Sequence, residues 1–342
     1  MTMGRGAPRL ITLALACLLA LAACGGRDDA IERDVTAPTG PTASTGPTGP
    51  QPAEIEATAE VGADPIGIAS GEGSLWVVNA EINAKRGSVS RIDPASGEVL
   101  ATIDVGAVPL EVAVGEGSVW VSNAGDDTVS RINPSSNETI AGIDVCAAPE
   151  GVAVAEGSVW VVCEDDGVVA RIDPQTDEMV DQVDVGLQPS FVTSAFDGIW
   201  VSSYSDGTIT RIDPANGKVV AEITTDQGPQ IMAEAGGFLW VSCTDTDTLN
   251  AIDPETNRVA LAVETAVTPD GLAFDGTTLW VATEIGPELT GIDPSTQEVV
   301  AAATVADHGL INANQVMVFE DGSLWLPILD DGTVLRVAPP AT

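Results

Sequence analysis

Short aliphatic runs alternate with glycine-containing or acidic turns along the chain from Ala53 to its end. A representative unit contains, in order, "GVAVAEGS", "VWVS", an acidic turn, "VSRIDP", a polar turn and "EVLATIDVG". Runs rich in Val and Ile that are bounded by Gly and Asp-Pro are typical of β-strands, and these breakers recur too often for paired helices. Each unit of about forty residues therefore predicts four strands, which form one propeller blade.

Each unit contains one tryptophan, and the spacing of the tryptophans is 44, 40, 40, 40, 40 and 45 residues: Trp76, Trp120, Trp160, Trp200, Trp240, Trp280 and Trp325. The last unit supplies only three strands, and "EIEATAEVG" at residues 54–62 matches the missing fourth. We therefore predict an all-β, seven-bladed β-propeller of four-stranded antiparallel blades. Its N-terminal strand completes the last blade and removes the exposed edge of an open ring.

The repeated residues have structural explanations. Tryptophan lies beside Val or Ile on the second strand, where both faces of a blade are covered, so it is predicted to be core. Aspartates that precede proline can accept hydrogen bonds from their own turns. Arginines recur on the third strand and are predicted to pair with neighbouring acids: Arg91, Arg131, Arg171, Arg211 and Arg336.

The first 52 residues have a different composition. Arg5 and Arg9 precede an apolar run over residues 10–23 that is typical of a secretory signal peptide and too short for a spanning helix. The run ends in "LAAC", which resembles a bacterial lipobox and implies a diacylglyceryl group on Cys24. Ordinary cleavage after Ala-Leu-Ala would instead leave a soluble secreted protein.

Residues 24–52 are rich in Pro, Thr and Gly and predict a disordered tether. The domains are therefore expected to be a signal peptide (1–23), a lipidated tether (24–52) and the propeller (53–342). This organisation implies a lipid-anchored protein on the extracytoplasmic side of the cell membrane.

The unit "VAVGEGSVWVSNAGDDTVSRINPSSNETIAGIDVCAAPEG" resembles the YVTN or YncE-like seven-bladed propellers and is also similar to the streptogramin (virginiamycin B) lyase propellers. The lyase resemblance implies a divalent metal, two histidines and a glutamate. Because His308 is the only histidine of this chain, no catalytic residue is transferred from that family. Propellers host unrelated activities, so these resemblances imply a fold more strongly than a function.

Functional residues are sought where the repeats differ from one another. Blade 1 has four extra residues in "AEINAKRG", and a second excess, "DHGLINANQ", lies at the entry to blade 7. Both excesses emerge on the same rim in neighbouring blades, so we predict a binding rim there. Its members are Glu81, Asn83, Lys85, Arg86, Asp307, His308, Asn312 and Asn314. The alternative is that insertions collect where ring closure relaxes the repeat.

Three smaller deviations extend this hypothesis. Phe191 replaces a repeated glycine, and Tyr204 is the only tyrosine, so either ring is a candidate ligand contact or a packing residue. Glu234 replaces apolar residues on a first strand and is a candidate channel carboxylate or a solvated channel residue. We expect all three near the same rim.

Cysteines 146 and 163 both lie near that rim on blade 3, so we predict a Cys146–Cys163 disulfide with Cys243 buried and free. The spacing of the cysteines and the one histidine does not suit a zinc site. We expect no cofactor, although the acidic turns leave weak binding of a divalent cation open.

The charge balance constrains the partners. The chain has 51 Asp and Glu against 13 Lys and Arg, a net charge of −38, and this excludes nucleic acid as a partner. The favoured function is a monomeric, membrane-tethered module that binds an extracytoplasmic protein, peptide or glycan through one rim. The alternative is a metal-dependent lyase-like or lactonase-like enzyme with its site in the central channel.

Overall fold

The computed structural model describes residues 51–265, 268–283, 288–305 and 317–341. The chain divides into two units, Met1–Thr48 and Gly49–Thr342, and the first lies outside the described residues. The predicted signal peptide and Cys24 are therefore not described. Within the described ranges, no helix has the length and apolar character needed to span a membrane.

The strands follow one another in chain order. Two short N-terminal strands come first: β1 (Gln51–Pro52) and β2 (Ile55–Glu60). Blade 1 contains β3 (Pro65–Gly71), β4 (Ser74–Asn79), β5 (Ser88–Ile92) and β6 (Val99–Asp104). Blade 2 contains β7 (Pro109–Gly115), β8 (Ser118–Asn123), β9 (Thr128–Asn133) and β10 (Glu138–Asp144). Blade 3 contains β11 (Pro149–Ala155), β12 (Ser158–Cys163), β13 (Val168–Asp173) and β14 (Glu178–Asp184).

The remaining blades repeat this arrangement. Blade 4 contains β15 (Pro189–Ala195), β16 (Gly198–Ser203), β17 (Thr208–Asp213) and β18 (Lys218–Thr224). Blade 5 contains β19 (Pro229–Ala235), β20 (Phe238–Cys243), β21 (Thr248–Asp253) and β22 (Arg258–Glu264). Blade 6 contains β23 (Pro269–Phe274), β24 (Leu279–Thr283), β25 (Glu288–Ile292) and β26 (Val299–Thr304). Blade 7 contains β27 (Val318–Glu320), β28 (Ser323–Ile328) and β29 (Thr333–Val337), with a 3-10 turn at Leu329–Asp331.

The N-terminal strand closes the ring as the sequence predicted. Strand β2 pairs antiparallel with β29 and becomes the outer strand of blade 7. The fold is thus an all-β, seven-bladed propeller of four-stranded antiparallel blades. One detail differs from the predicted domain boundary at residue 53: Gln51–Pro52 pair in parallel with Ala303 and Thr304, so the ordered propeller begins two residues earlier.

The first strand of each blade contacts the first strand of the next, from β3 round the ring to β27 and back to β3. These strands therefore form the innermost ring. Each first strand begins at the rim that carries the turns between second and third strands. For example, Ala147 N in the connection between blades 2 and 3 donates to Asp166 Oδ2 in the β12–β13 turn at 2.9 Å. We call this end the upper rim. The lower rim carries the hairpins between first and second strands.

The core lies between adjacent blades. All seven tryptophans are fully buried, which confirms their predicted role. Their indole N–H groups generally donate to a carbonyl five residues upstream, as from Trp120 Nε1 to Gly115 O at 3.1 Å. Aliphatic residues of the facing blade complete each cluster, and in one such cluster Trp325 packs with Ile68 and Leu75 across the junction of blades 7 and 1.

The repeated arginines join the blades. Arg131 lies over the Trp120 ring at 4.8 Å, and its guanidinium donates to Pro174 O and Asp177 Oδ1 in the next blade at 2.8 and 2.7 Å. Arg211 bonds in the same way to Pro254 O and an asparagine. The predicted pairing with acids is therefore only partly right. Carbonyl and amide oxygens are also partners, because the guanidinium reaches the neighbouring turn from the third strand to the fourth.

We predict that ring closure depends on β2 and hardly on β1. A chain that starts at residue 53 should melt within about 2 °C of one that starts at residue 49, because β1 contributes two exposed residues. A chain that starts at residue 62 loses the β2–β29 ladder and the buried Ala59, and its melting temperature should fall by about 10 °C or more. Calorimetry measures both, and equal melting of the two shortened chains would contradict the closure.

Candidate functional site

The blade 1 loop of the predicted binding rim lies at the upper rim. Asn83, Lys85 and Arg86 are exposed on the segment between β4 and β5. Glu81 has a left-handed backbone (φ 46°), and its carboxylate accepts a hydrogen bond from Ser88 Oγ at 2.8 Å. The other predicted members lie outside the described residues: Asp307, His308, Asn312 and Asn314. The proposed clustering of the two loops therefore stays a prediction.

The smaller deviations do not gather at this loop. Phe191 is partly buried and packs against the hydrophobic clusters of blades 4 to 6, so packing accounts for it. Tyr204 donates its hydroxyl to Asp245 Oδ1 at 2.8 Å and links the upper turns of blades 4 and 5. Both residues are in blade 4, whereas the predicted loops belong to blades 7 and 1.

Glu234 lies at the opposite end of the propeller from its predicted place. It is exposed near the C-terminal end of β19, and first strands run from the upper rim to the lower rim. There it lines a depression of about 260 Å³ with Glu156, Ser194 and Asp197, among other residues. The expectation that it accompanies the upper-rim deviations is therefore wrong.

The upper rim of blades 2 and 3 instead carries three glutamates that were not among the predicted site residues. Glu111 is the third residue of β7, Glu150 is the second residue of β11, and Glu164 follows β12 directly. Ser122 connects the first two, since its hydroxyl accepts from Glu111 N at 3.1 Å and donates to Glu150 O. We call Glu111, Glu150 and Glu164 the mouth glutamates.

Glu111 is buried, with 7 % of its surface exposed. Its Oε1 accepts a hydrogen bond from Val112 N at 2.9 Å, and Gly67 of blade 1 provides the space beside it. A Cβ at Gly67 would lie 2.8 Å from this oxygen. Burial raises the pKa of Glu111 to about 8, because desolvation of the carboxylate outweighs the backbone hydrogen bond. The side chain is therefore mostly protonated at neutral pH.

The carboxyl groups of Glu150 and Glu164 are neighbours, and each affects the pKa of the other. The pKa of Glu150 is raised well above its ordinary value, first by desolvation and then by the charges of Glu164 and Asp165. Desolvation also raises the pKa of Glu164, although Gln188 Nε2 donates to its Oε1 at 3.3 Å. Two adjacent carboxyl groups that share a site favour one bound proton.

A disulfide lies beside this pair. Cys146 and Cys163 are bonded with their Cα atoms 5.7 Å apart, which is the pairing that the sequence predicted. Cys243 is free and buried, again as expected. In blades 1 and 2 the equivalent residues are joined by hydrogen bonds of 3.1 Å. Gly62 N donates to Asn79 Oδ1, and Gly106 N donates to Asn123 Oδ1.

The acidic turns of the upper rim mainly accept backbone hydrogen bonds. Asp126 accepts from Ala107 N at 2.7 Å and Asp206 accepts from Leu187 N at 2.7 Å. Within the part of the chain that the structure describes, no three His, Cys, Asp or Glu residues are grouped so that they could hold a metal ion. Weak cation binding at these turns stays a prediction.

The repeats contained the signal that would have selected the mouth glutamates. Glu111 occupies the position of Gly67, Gly151 and Phe191, and Glu150 occupies the position of Ile66 and Leu110. Sequence reasoning selected Phe191 in the first of these positions and passed over Glu111. The sequence does not show that β3 and β7 approach closely beside Glu111. This close approach buries the carboxyl group.

We predict that Glu111 makes stability fall as pH rises. The folded pKa lies above the unfolded value, so the free energy of unfolding should decrease between about pH 4.5 and pH 8, in total by about 5 kcal/mol. Glu111→Gln should remove this contribution. Urea unfolding at several pH values measures it, with the exposed Glu234→Gln as the matched control. A profile for Glu111→Gln that parallels the parent would contradict the assignment.

Comparisons with known proteins agree with the architecture. Residues 85–236 match the family model described as "Outer membrane protein assembly factor BamB". This segment runs from the β4–β5 loop to the end of the first strand of blade 5. A search of curated protein sequences found no significant match.

Solved structures show the same fold at low sequence identity. Kuenenia stuttgartiensis hydrazine synthase is 16 % identical with a TM-score of 0.70, and the match covers 81 % of this chain and 96 % of that one. A catalytically inactive virginiamycin B lyase from Staphylococcus aureus with quinupristin is 16 % identical with a TM-score of 0.67, over 83 % and 99 % of the two chains. A streptogramin B lyase is 16 % identical with a TM-score of 0.67, over 81 % and 93 %.

These identities establish the fold alone. The resemblance to YVTN or YncE-like propellers stays a prediction. The chain is a seven-bladed β-propeller that is similar over residues 85–236 to the BamB family model and similar in fold to the streptogramin B lyases.

Proposed function

We propose that this protein is a lipid-anchored, extracytoplasmic propeller that binds a protein, peptide or glycan at the channel mouth of its upper rim. Lipidation of Cys24, the tether over residues 24–52 and the membrane location are parts of this proposal that rest on the sequence. The ligand site would include the mouth glutamates and extend towards the exposed blade 1 loop with Lys85 and Arg86.

One observation carries the proposal. Three carboxyl groups with raised pKa values lie at the upper rim in blades 2 and 3. Glu111 is buried, and Glu150 and Glu164 are partly buried. Their desolvation opposes folding, because a desolvated carboxylate loses hydration that its few hydrogen bonds do not replace. Other blades form the same strands with Gly67, Gly151 or Leu110 at these places, so the fold does not require the acids. Acids with perturbed pKa values favour a functional role.

The family match favours a protein or peptide ligand. The matching family is described as an outer membrane protein assembly factor, which suggests protein interaction rather than catalysis. The enzyme alternative needs a metal in the channel, and this chain has one histidine with which to hold it. Metal analysis of the protein purified without chelator separates the two accounts, since one tightly held equivalent per chain would favour the enzyme.

We predict that loss of the mouth glutamates weakens ligand capture without loss of stability. Glu111→Gly copies Gly67 and Glu150→Leu copies Leu110, so both substitutions fit the repeat. Each should raise the melting temperature at pH 8 and reduce the partners crosslinked at the cell surface by about tenfold, which corresponds to about 1.4 kcal/mol. Glu234→Val, a copy of Val114 at the lower rim, is the matched control. Undiminished capture by the first two variants would contradict the site.

Replacement of "INAKR" at residues 82–86 with a short Gly-Asp turn tests the blade 1 loop. The replacement removes the exposed Lys85 and Arg86 and gives blade 1 a turn like those of the other blades. Capture should fall while the melting temperature stays close to the parent value, because the loop side chains are exposed. Unchanged capture of an identified partner would exclude this loop from the site.

We predict that Cys24 anchors the protein. Cys24→Ser removes the thiol that would carry the lipid, so the protein should move from the membrane fraction to the soluble fraction. Metabolic labelling with an alkyne fatty acid should mark the parent and not the variant. Cys243→Ser, which changes a buried thiol of the propeller, is the control. Membrane retention of an unlabelled Cys24→Ser protein would contradict the lipid anchor.

A further inference from the structure

We propose that the Cys146–Cys163 disulfide is a positioning clamp that holds Glu150 and Glu164 against each other. The carboxyl pair would then assemble only in a compartment where these cysteines are oxidised. This inference goes beyond the proposed binding function, and its test needs no ligand.

The disulfide and the acid pair belong to the same two backbone segments. Cys163 ends β12 and Glu164 follows it directly. Pro149, which precedes Glu150, is the ladder partner of Cys163. Glu164 N also donates to Ala148 O at 3.0 Å. The bond between Cys146 and Cys163 therefore adds a covalent link to the backbone contacts that join the two segments carrying the carboxyl groups.

The other blades show that this place does not require a covalent link. In blades 1 and 2, Asn79 and Asn123 accept hydrogen bonds from Gly62 N and Gly106 N at the place of the disulfide. The backbone bonds from Ala80 N to Asp64 O and from Ala124 N to Val108 O also join these segments, at 2.9 and 3.0 Å. In blade 4, Ser203 Oγ donates to Val185 O at 2.6 Å. These blades have no pair of acids at the positions of Glu150 and Glu164, where blade 2, for example, has Leu110 and Ala124.

Repulsion within the acid pair explains why blade 3 has a disulfide where other blades have hydrogen bonds. Glu150 is opposed by the charges of Glu164 and Asp165, and Glu164 is opposed by Asp165, while Gln188 is the neutral donor that faces it. Ionisation of both glutamates would push the two segments apart. Hydrogen bonds between the segments can break in response, whereas a disulfide keeps the segments together and makes the carboxyl groups share a proton.

The burial of the disulfide does not suit a reversible redox switch. Cys163 is fully buried and Cys146 is 6 % exposed, so neither sulfur is readily reached by a thiolate. The bond must therefore form during folding. Disulfides form in exported proteins and are rare in the cytosol, which is consistent with the proposed location.

The test replaces the disulfide with the links that the other blades use. Cys146→Gly/Cys163→Asn copies blades 1 and 2, and Cys146→Gly/Cys163→Ser copies blade 4. Carbon-13 NMR of labelled glutamate carboxyls follows the titration, with Glu150→Gln and Glu164→Gln variants used to assign the signals. Near-ultraviolet circular dichroism of the buried tryptophans shows whether each variant is folded.

In the parent we expect coupled titration with one strongly raised pKa. In a folded swap variant, the higher of the two pKa values should fall towards that of an ordinary glutamate. The same swap in a Glu150→Leu background should leave the titration of Glu164 unchanged, because no pair remains to be held. Coupled titration that is identical in the parent and in a folded swap variant would overturn the proposal. Failure of both swap variants to fold would also overturn it, since the disulfide would then serve the blade rather than the acid pair.

Discussion

The backbone hydrogen bonds between β2 and β29 are the interaction on which the propeller depends. Every blade buries its tryptophan against a neighbour, so a ring with an incomplete last blade would leave one core face and one strand edge exposed. Residues 55–60 supply the missing strand from the other end of the chain. The contact order of this pairing is high, and so is that of the junction between blades 7 and 1, whereas the other blade junctions form between blades that follow one another in sequence.

Closure fixes the positions of the first strands, and these position the site. Their upper ends meet where the blade-to-blade connections and the turns between second and third strands bond to each other. Arginines stacked on the tryptophans hold the lower turns of adjacent blades together, as Arg131 does with Pro174. The framework is therefore rigid enough to hold buried carboxyl groups at the channel mouth. Such groups are unfavourable for stability and are tolerated where the surrounding contacts are strong.

The architecture could be predicted from the sequence because it repeats. Tryptophan spacing indicated the number of blades, and the match of residues 54–62 to a fourth strand indicated closure. The disulfide pairing also followed, since the repeat places Cys146 and Cys163 at one end of one blade. The two-residue β1 was missed because Gln51–Pro52 carry no strand pattern and lie at the end of the tether composition.

The site was harder to predict because the repeat pattern does not show how deeply a residue that departs from it is buried. Loop length directed attention to Lys85 and Arg86, which are exposed. Glu111 is a single substitution relative to the equivalent positions of the other blades. Its pKa is raised because its carboxyl group is buried beside Gly67 of blade 1. Glu234 was misplaced because a first-strand position alone does not say which end of the channel it faces.

Ligand binding at the upper mouth of the channel can be tested along a single strand. Leu110 and Val114 are partly buried residues near opposite ends of the same strand, β7. A photo-crosslinking amino acid at each position would sample the upper and lower ends of one inner strand in cells. The account predicts that position 110 captures a partner and that position 114 does not. Capture from position 114 alone, or equal capture from both positions, would contradict it.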